Sequence, residues 1–290
     1  MTYKRHWDDK KEGLTPLYKL GNSGCHAMEI DGLFLKAGST YSGDTAETEY
    51  GLTLLGGTCT VKGTGFDYAH IGKRKNVFDG KAYAVYLPRH TAFTVTADTD
   101  LKIMIAKCPA DADHAPVLVT PDDVIVKNLG KPGFEREAHF LVDERMEACR
   151  IYIGENFIRG GQWSSFPGHK HDVNNMPTEG FAEEIYYYEY DKPTGYGIQQ
   201  VYTADRAIDE AYPVRNGDIV EIMTSKAAKG PSRDWMKIAK SSEARSKIRQ
   251  WFKKEKREEN IVNGRAAFES ELKHYGISVA AGTEDELRPT

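Results

Sequence analysis

Between residues 49 and 108, short apolar stretches at 50–55, 58–61, 82–87, 93–96 and 101–106 alternate with turn residues, among them Gly56 and Gly57. Runs of this length, rich in valine, threonine and aromatic side chains, predict an antiparallel sandwich or barrel rather than alternating strands and helices. Upstream the pattern is mixed, and within 1–45 only 32–38 predicts a strand, ended by a turn. Residues 109–121, with Pro109, Asp111, Asp113, Pro116 and Pro121, predict a connector, and with it the end of a first domain at 1–115. A second β-rich block, 116–230, carries predicted strands at 150–153, 164–171, 184–190, 197–203 and 218–222, with turns at 192–195 and 215–218. Beyond Gly230 and Pro231 the residues become helix formers. Ser241 or Ser242 can cap a helix whose Ile248, Trp251 and Phe252 form one apolar edge, so 231–290 predicts a helical tail. The basic residues Lys253, Lys254, Lys256 and Arg257 alternate there with Glu255, Glu258 and Glu259, as on a solvated helix face.

Composition narrows the partners. The 290 residues carry 39 Lys+Arg against 43 Asp+Glu, a formal net charge of -4, and this lacks the basic excess of a nucleic-acid or anionic-membrane surface. A small molecule is the expected partner. The four cysteines, Cys25, Cys59, Cys108 and Cys149, share no metal-knuckle or redox spacing and are expected as reduced, buried thiols. The first residues lack an apolar signal core, and no run approaches the roughly 20 apolar residues of a membrane span. A cytoplasmic protein is expected.

The candidate chemistry lies at 161–188. In an extended strand, alternate side chains share a face, so His169 and His171 would project together with Lys170 turned away. A carboxylate from the Glu183-Glu184 pair, on the strand that follows, could complete three ligands around a divalent ion. Among 9 histidines in 290 residues one His-x-His arises easily by chance. The competing explanation is a pair of core histidines satisfied by hydrogen bonds. The context of a Pro167-Gly168 turn and an aromatic strand favours the metal site. Glu183 and Glu184 must face opposite ways, and Glu184 shares its face with Tyr186 and Tyr188. In the first block His90 reads as a turn residue, and that domain is expected to hold no metal.

At these residues the chain resembles the 5-deoxy-glucuronate isomerase family of inositol catabolism, a two-domain cupin. The resemblance spans most of 45–220 and runs through Tyr83 to Pro88, Arg136 to His139, Trp163 to Asp172, Glu183 to Tyr188 and Gln199 to Asp205. It implies an all-β bicupin with a metal-free first barrel, a metal-binding second barrel and, in this chain, the added helical tail. It implies His169, His171 and Glu184 as ligands of a divalent ion, zinc or manganese, and a later histidine as the fourth. Counted from Asp218 that histidine falls near Ala227, and roughly two short strands' worth of chain is absent after Met223. Missing closing strands would leave an edge to be covered by a partner, a tail or water. His274 is a candidate replacement ligand. Gln200 stands where the family pattern has an arginine.

The implied reaction is an aldose-ketose isomerisation of 5-deoxy-glucuronate to 5-dehydro-2-deoxy-gluconate by metal-assisted proton transfer. Tyr186 and Tyr188 are the candidate proton carriers, and Arg206 or Lys226 the candidate holders of the substrate carboxylate. The partner is then a small-molecule sugar acid, with neither nucleic acid nor membrane, and homo-oligomerisation is left open. The alternatives are a cupin without catalysis that binds a sugar acid or serves structurally, and a related uronate ketol-isomerase.

Overall fold

The computed structural model describes residues 4–21, 25–164, 171, 174, 180–202, 209–222 and 249. The chain divides into two compact units, residues 1–200 with 211–226, and residues 201–210 with 227–290. In the second unit the described residues are the ends of two strands at 201–202 and 209–210, and Arg249, which lies in a helix. The rest of the expected helical tail lies outside the described residues.

The strands in chain order are β1 (Lys4–His6), β2 (Gly13–Tyr18), β3 (Glu29–Leu35), β4 (Thr40–Asp44), β5 (Thr48–Gly56) and β6 (Cys59–Gly63). They continue as β7 (Phe66–Ile71), β8 (Ala84–Leu87), β9 (Ala92–Ala97), β10 (Leu101–Pro109), β11 (Val117–Val119) and β12 (Ile125–Leu129). The last six are β13 (Arg136–Val142), β14 (Ile153–Ile158), β15 (Glu184–Tyr187), β16 (Gly197–Tyr202), β17 (Asp209–Val214) and β18 (Asp218–Ile222).

A six-stranded sheet, β11-β8-β5-β10-β3-β2, faces a four-stranded sheet, β4-β9-β6-β7. Alternation sends Leu33, Leu52, Leu54, Val85, Ile103 and Ile105 from the first onto Val61, Phe93 and Val95 of the second, and all of these are buried. The opposite face of the six-stranded sheet is also covered. Ile30, Phe34 and Met104 pack there with Trp7, Ile219, Ile185 and Tyr187. Trp7 lies flat across β3 at Gly32, where an added Cβ would stand 2.3 Å from the indole, so glycine is required. Further along that face, Ala82, Ala84 and Val119 meet Leu141 and Ile153 of the sheet β12-β13-β14.

The remaining sheets are β1-β18-β15 and the pair β16-β17. Both edges of β18 are therefore taken: Tyr186 pairs with Val220 on one side and Lys4 with Val220 on the other. The chain's own N-terminal strand covers one edge of β18. Two polar anchors tie the layers together. The Glu49 carboxylate, fully buried, accepts hydrogen bonds from the Tyr86 hydroxyl at 2.8 Å and from the backbone N–H groups of Cys149 (2.8 Å), Arg150 (2.6 Å) and Ile151 (2.8 Å). The buried Arg74 guanidinium donates to both oxygens of Glu155, at 2.6 and 3.0 Å, and to the Leu54 carbonyl at 3.0 Å.

Several expectations are corrected. Residues 1–45 hold four strands rather than one, because β4 alternates exposed and half-buried polar residues and β2 carries Pro16, tolerated on a sheet edge. The expected connector at 109–121 contains β11, which pairs with β8. The strand placed at 150–153 begins instead at Ile153 and runs to Ile158, since Glu49 holds the backbone of 149–151 in a loop. The four cysteines form no disulfide, and burial pushes the thiols of Cys59 and Cys108 up to about 12. Among the described residues no helix is long and apolar enough to cross a membrane.

Candidate active site

Strand β15 sorts the Glu-Glu pair. Ile185 and Tyr187 join the apolar layer against the six-stranded sheet, so Glu184 and Tyr186 face the other way. The carboxylate of Glu183, one residue earlier, accepts the backbone N–H groups of His26 at 2.6 Å and Ala27 at 2.9 Å. Glu184 is thus the carboxylate of the site. His171 Nε2 lies 3.6 Å from Glu184 Oε1, and His171 Nδ1 is 3.3 Å from the Gly180 carbonyl. The Tyr186 hydroxyl donates to Glu184 Oε1 at 3.2 Å. The rings of Tyr186 and Tyr188 stack with centroids 6.4 Å apart, and the Tyr188 hydroxyl donates to the side-chain carbonyl of Gln199.

Burial is the main cause that lifts both phenols well above their ordinary range, and the negative charge of Glu184 lifts them further. For Tyr186 the positive charge of Arg136 works in the opposite direction. At neutral pH both hydroxyls therefore keep their protons and act as hydrogen-bond donors.

The donor set fits a divalent cation. With Nδ1 of His171 at the Gly180 carbonyl, Nε2 is the nitrogen on the Glu184 side, the usual orientation of a ligating imidazole. Two donors on one ion, with bonds of about 2.0–2.2 Å, stand a little over 3 Å apart, close to the spacing of His171 and Glu184. No group of three or more metal-binding side chains occurs among the described residues. His169, the third ligand expected from the sequence, lies outside them, as do Arg206, Lys226 and His274.

One expectation changes. The strand expected at 164–171 does not include its ends: Ser164 is in a bend and His171 in an irregular segment. On β16, Gly197, Gln199 and Val201 are half-buried while Ile198, Gln200 and Tyr202 are exposed, and the Tyr188 hydroxyl meets Gln199. Alternation counted along that strand separates the two faces.

An all-β architecture of this kind, with a paired imidazole and carboxylate on the inner face of its second half, defines a cupin. The chain matches the KduI/IolB family over residues 4–230 and belongs to it. It is 36% identical over 187 residues to the 5-deoxy-glucuronate isomerase of Geobacillus thermodenitrificans, covering 64% of this chain and 68% of that one. The crystal structure of an IolB-like protein from Salmonella typhimurium superposes with a TM-score of 0.73 at 30% identity, over 78% of this chain and 89% of that chain. Oxalate decarboxylase from Lactobacillus farciminis shares the fold, with a TM-score of 0.54 at 9% identity over 77% of this chain and 80% of that one. The chain is an isomerase of the KduI/IolB family.

Proposed function

We propose that this isomerase converts 5-deoxy-glucuronate to 5-dehydro-2-deoxy-gluconate, with a divalent metal ion, zinc or manganese, held by His169, His171 and Glu184. The observation that carries the reading is the approach of His171 Nε2 to Glu184 Oε1 at 3.6 Å on the face that also bears Tyr186. An aldose-ketose shift removes a proton from the carbon beside a carbonyl and returns one to the neighbouring carbon, so the site must steady negative charge on oxygen and carry a proton. The ion supplies the positive charge that steadies the developing oxyanions. Glu184, which accepts the Tyr186 hydroxyl proton, fixes that phenol in the site and leaves its oxygen to accept from a substrate hydroxyl. Tyr188, kept in place by its stack on Tyr186 and its bond to Gln199, presents a second hydroxyl and excludes water from that wall.

The test is the purified chain assayed with 5-deoxy-glucuronate alongside elemental analysis. A bound divalent metal, turnover lost on chelation and restored on adding metal, and loss of both in His171→Ala support the proposal. Full activity in metal-free protein overturns it.

A further inference from the structure

Tyr188 is fixed by its backbone, by its ring and by its hydroxyl. Strand β15 ends at Tyr187, yet Tyr188 keeps the ladder to the start of β18: its N–H donates to the Asp218 carbonyl at 2.9 Å, and its carbonyl accepts the Gly217 N–H at 2.9 Å. Alternation therefore continues past the strand end and sets Tyr188 beside Tyr186, with the two rings stacked at 6.4 Å between centroids. Strand β16 meets the hydroxyl. Its half-buried positions Gly197, Gln199 and Val201 share one face, and from that face Gln199 offers its side-chain carbonyl, to which the Tyr188 hydroxyl donates.

A phenol carries one proton and has lone pairs on its oxygen. Where that proton is already given to a carbonyl, whatever else binds the oxygen must donate to it. Tyr186 is committed in the same sense, because its proton goes to Glu184 Oε1 at 3.2 Å and a carboxylate can only accept. Two stacked phenols thus present acceptors side by side, starting from the end that bears Glu184. We infer that Tyr188 is a specificity-determining residue that accepts a hydrogen bond from the C4 hydroxyl of the open-chain sugar, and that Gln199 is the positioning residue that turns the Tyr188 proton out of the site. The inference rests on the proposed isomerase reading and narrows it. With the carbonyl and the C2 oxygen at His171 and Glu184, the C3 hydroxyl falls to Tyr186 and the C4 hydroxyl to Tyr188. The site then reads the C4 hydroxyl as a donor and discriminates against sugars that carry hydrogen or fluorine in its place.

The test compares the unaltered chain with Tyr188→Phe and Gln199→Leu on three sugars: 5-deoxy-glucuronate and its analogues with hydrogen or fluorine in place of the C4 hydroxyl. Fluorine cannot donate, so with the unaltered chain both analogues should lose roughly 2- to 10-fold in kcat/KM, carried mostly by KM. Tyr188→Phe should show that loss on 5-deoxy-glucuronate and little preference among the three sugars. Gln199→Leu frees the phenol proton to donate into the site, so the fluorine sugar should gain on the hydrogen one, a reordering that loosened packing would not produce. An unaltered chain that takes the fluorine sugar as well as the parent, a Tyr188→Phe loss equal on all three, or an unchanged order in Gln199→Leu overturns the inference. Should the unaltered chain fail to turn over 5-deoxy-glucuronate, the substrate proposal falls by itself. Calorimetric binding of glucuronate and its 4-deoxy and 4-fluoro analogues then decides: a preference for glucuronate that Tyr188→Phe abolishes sustains the inference, and a preference kept by that variant, or absent from the unaltered chain, overturns it.

Discussion

Strands β5 and β15 occupy matching places, in the orders β5-β10-β3 and β15-β18-β1, yet they line opposite kinds of interior. Each is marked by a glutamate that fastens it to the other half of the fold. Glu49 accepts the backbone N–H groups of 149–151, and Glu183 those of His26 and Ala27. The residues that follow alternate inward as Tyr50, Leu52 and Leu54 in one case, and as Glu184, Tyr186 and Tyr188 in the other. In the first half the leucines close the core. Beside Tyr50 the ammonium of Lys107 sits 4.9 Å from the ring centroid and pairs with the buried Asp31. Burial works against the Lys107 charge, but the hydrogen bond and charge of Asp31 outweigh it and hold the ammonium above its ordinary range. A fixed positive charge there repels a divalent cation. The second half replaces apolar filling with hydrogen-bonding groups and so gives up the roughly 1.5–3 kcal/mol that each buried leucine contributes. One scaffold thus carries a stabilising half and a chemical half, and the second leans on the first through Glu49, Glu183 and Arg74.

The largest effect should come from cutting that support. Glu49→Ala strands three backbone N–H groups and the Tyr86 hydroxyl in a buried setting, which should cost about 3–5 kcal/mol in chemical denaturation. Glu183→Ala releases two N–H groups, one of them exposed, and should cost about 1–2 kcal/mol. Equal losses would show that the two glutamates are interchangeable tethers and would break the asymmetry between the halves.

Next in size is the chemical contrast. Glu184→Gln should lower kcat/KM by more than about 10²-fold while the fold survives, since it weakens the anionic donor and the acceptor of Tyr186 together. Its positional counterpart Tyr50→Phe, which loses a 3.3 Å hydrogen bond to the Asp44 carbonyl, should leave turnover within about twofold. A Tyr50→Phe loss as deep as that of Glu184→Gln would mean that the first half takes part in the reaction.

What the chain reveals before folding follows the same division. Where a strand is buried on both faces, as in β5 or β10, its apolar run is continuous and its place was legible from residues 50–55 and 101–106. Strands β4 and β12 were missed because their residues remain largely exposed and polar, leaving little hydrophobic signal. Glu184, Tyr186 and Tyr188 were legible as one face because alternation is a local property. Gln199 was not singled out: alternation separates the two faces of β16, but which face turns inward is settled only by its bond to Tyr188. The cover that β1 gives to β18 is likewise invisible locally, since it joins Lys4 to Val220.

The smallest expected effect concerns how the chemical half is held at its outer edge. The Asp218 carboxylate receives Lys4 Nζ at 2.6 Å, the Arg215 N–H at 2.8 Å and His6 Nδ1 at 3.2 Å, and so binds β1 to β18. Burial alone would raise this carboxyl, but those three partners outweigh it and hold it below its ordinary value of 3.8. In the acid range the unfolded chain therefore binds more protons at this position than the folded one, so stability rises with pH. The contribution is whole above the unfolded value and is lost as pH falls through the depressed folded value. Replacing the group by asparagine should cost on the order of 1 kcal/mol near pH 7, and the difference in melting temperature between the unaltered chain and Asp218→Asn should shrink as pH is lowered below about 4. Other carboxylates titrate in the same range, but they are common to both proteins and cancel in the difference. A gap that stays constant from pH 7 to pH 3 would show that Asp218 acts through shape and not through charge, and that the N-terminal strand is held to β18 by its backbone pairing.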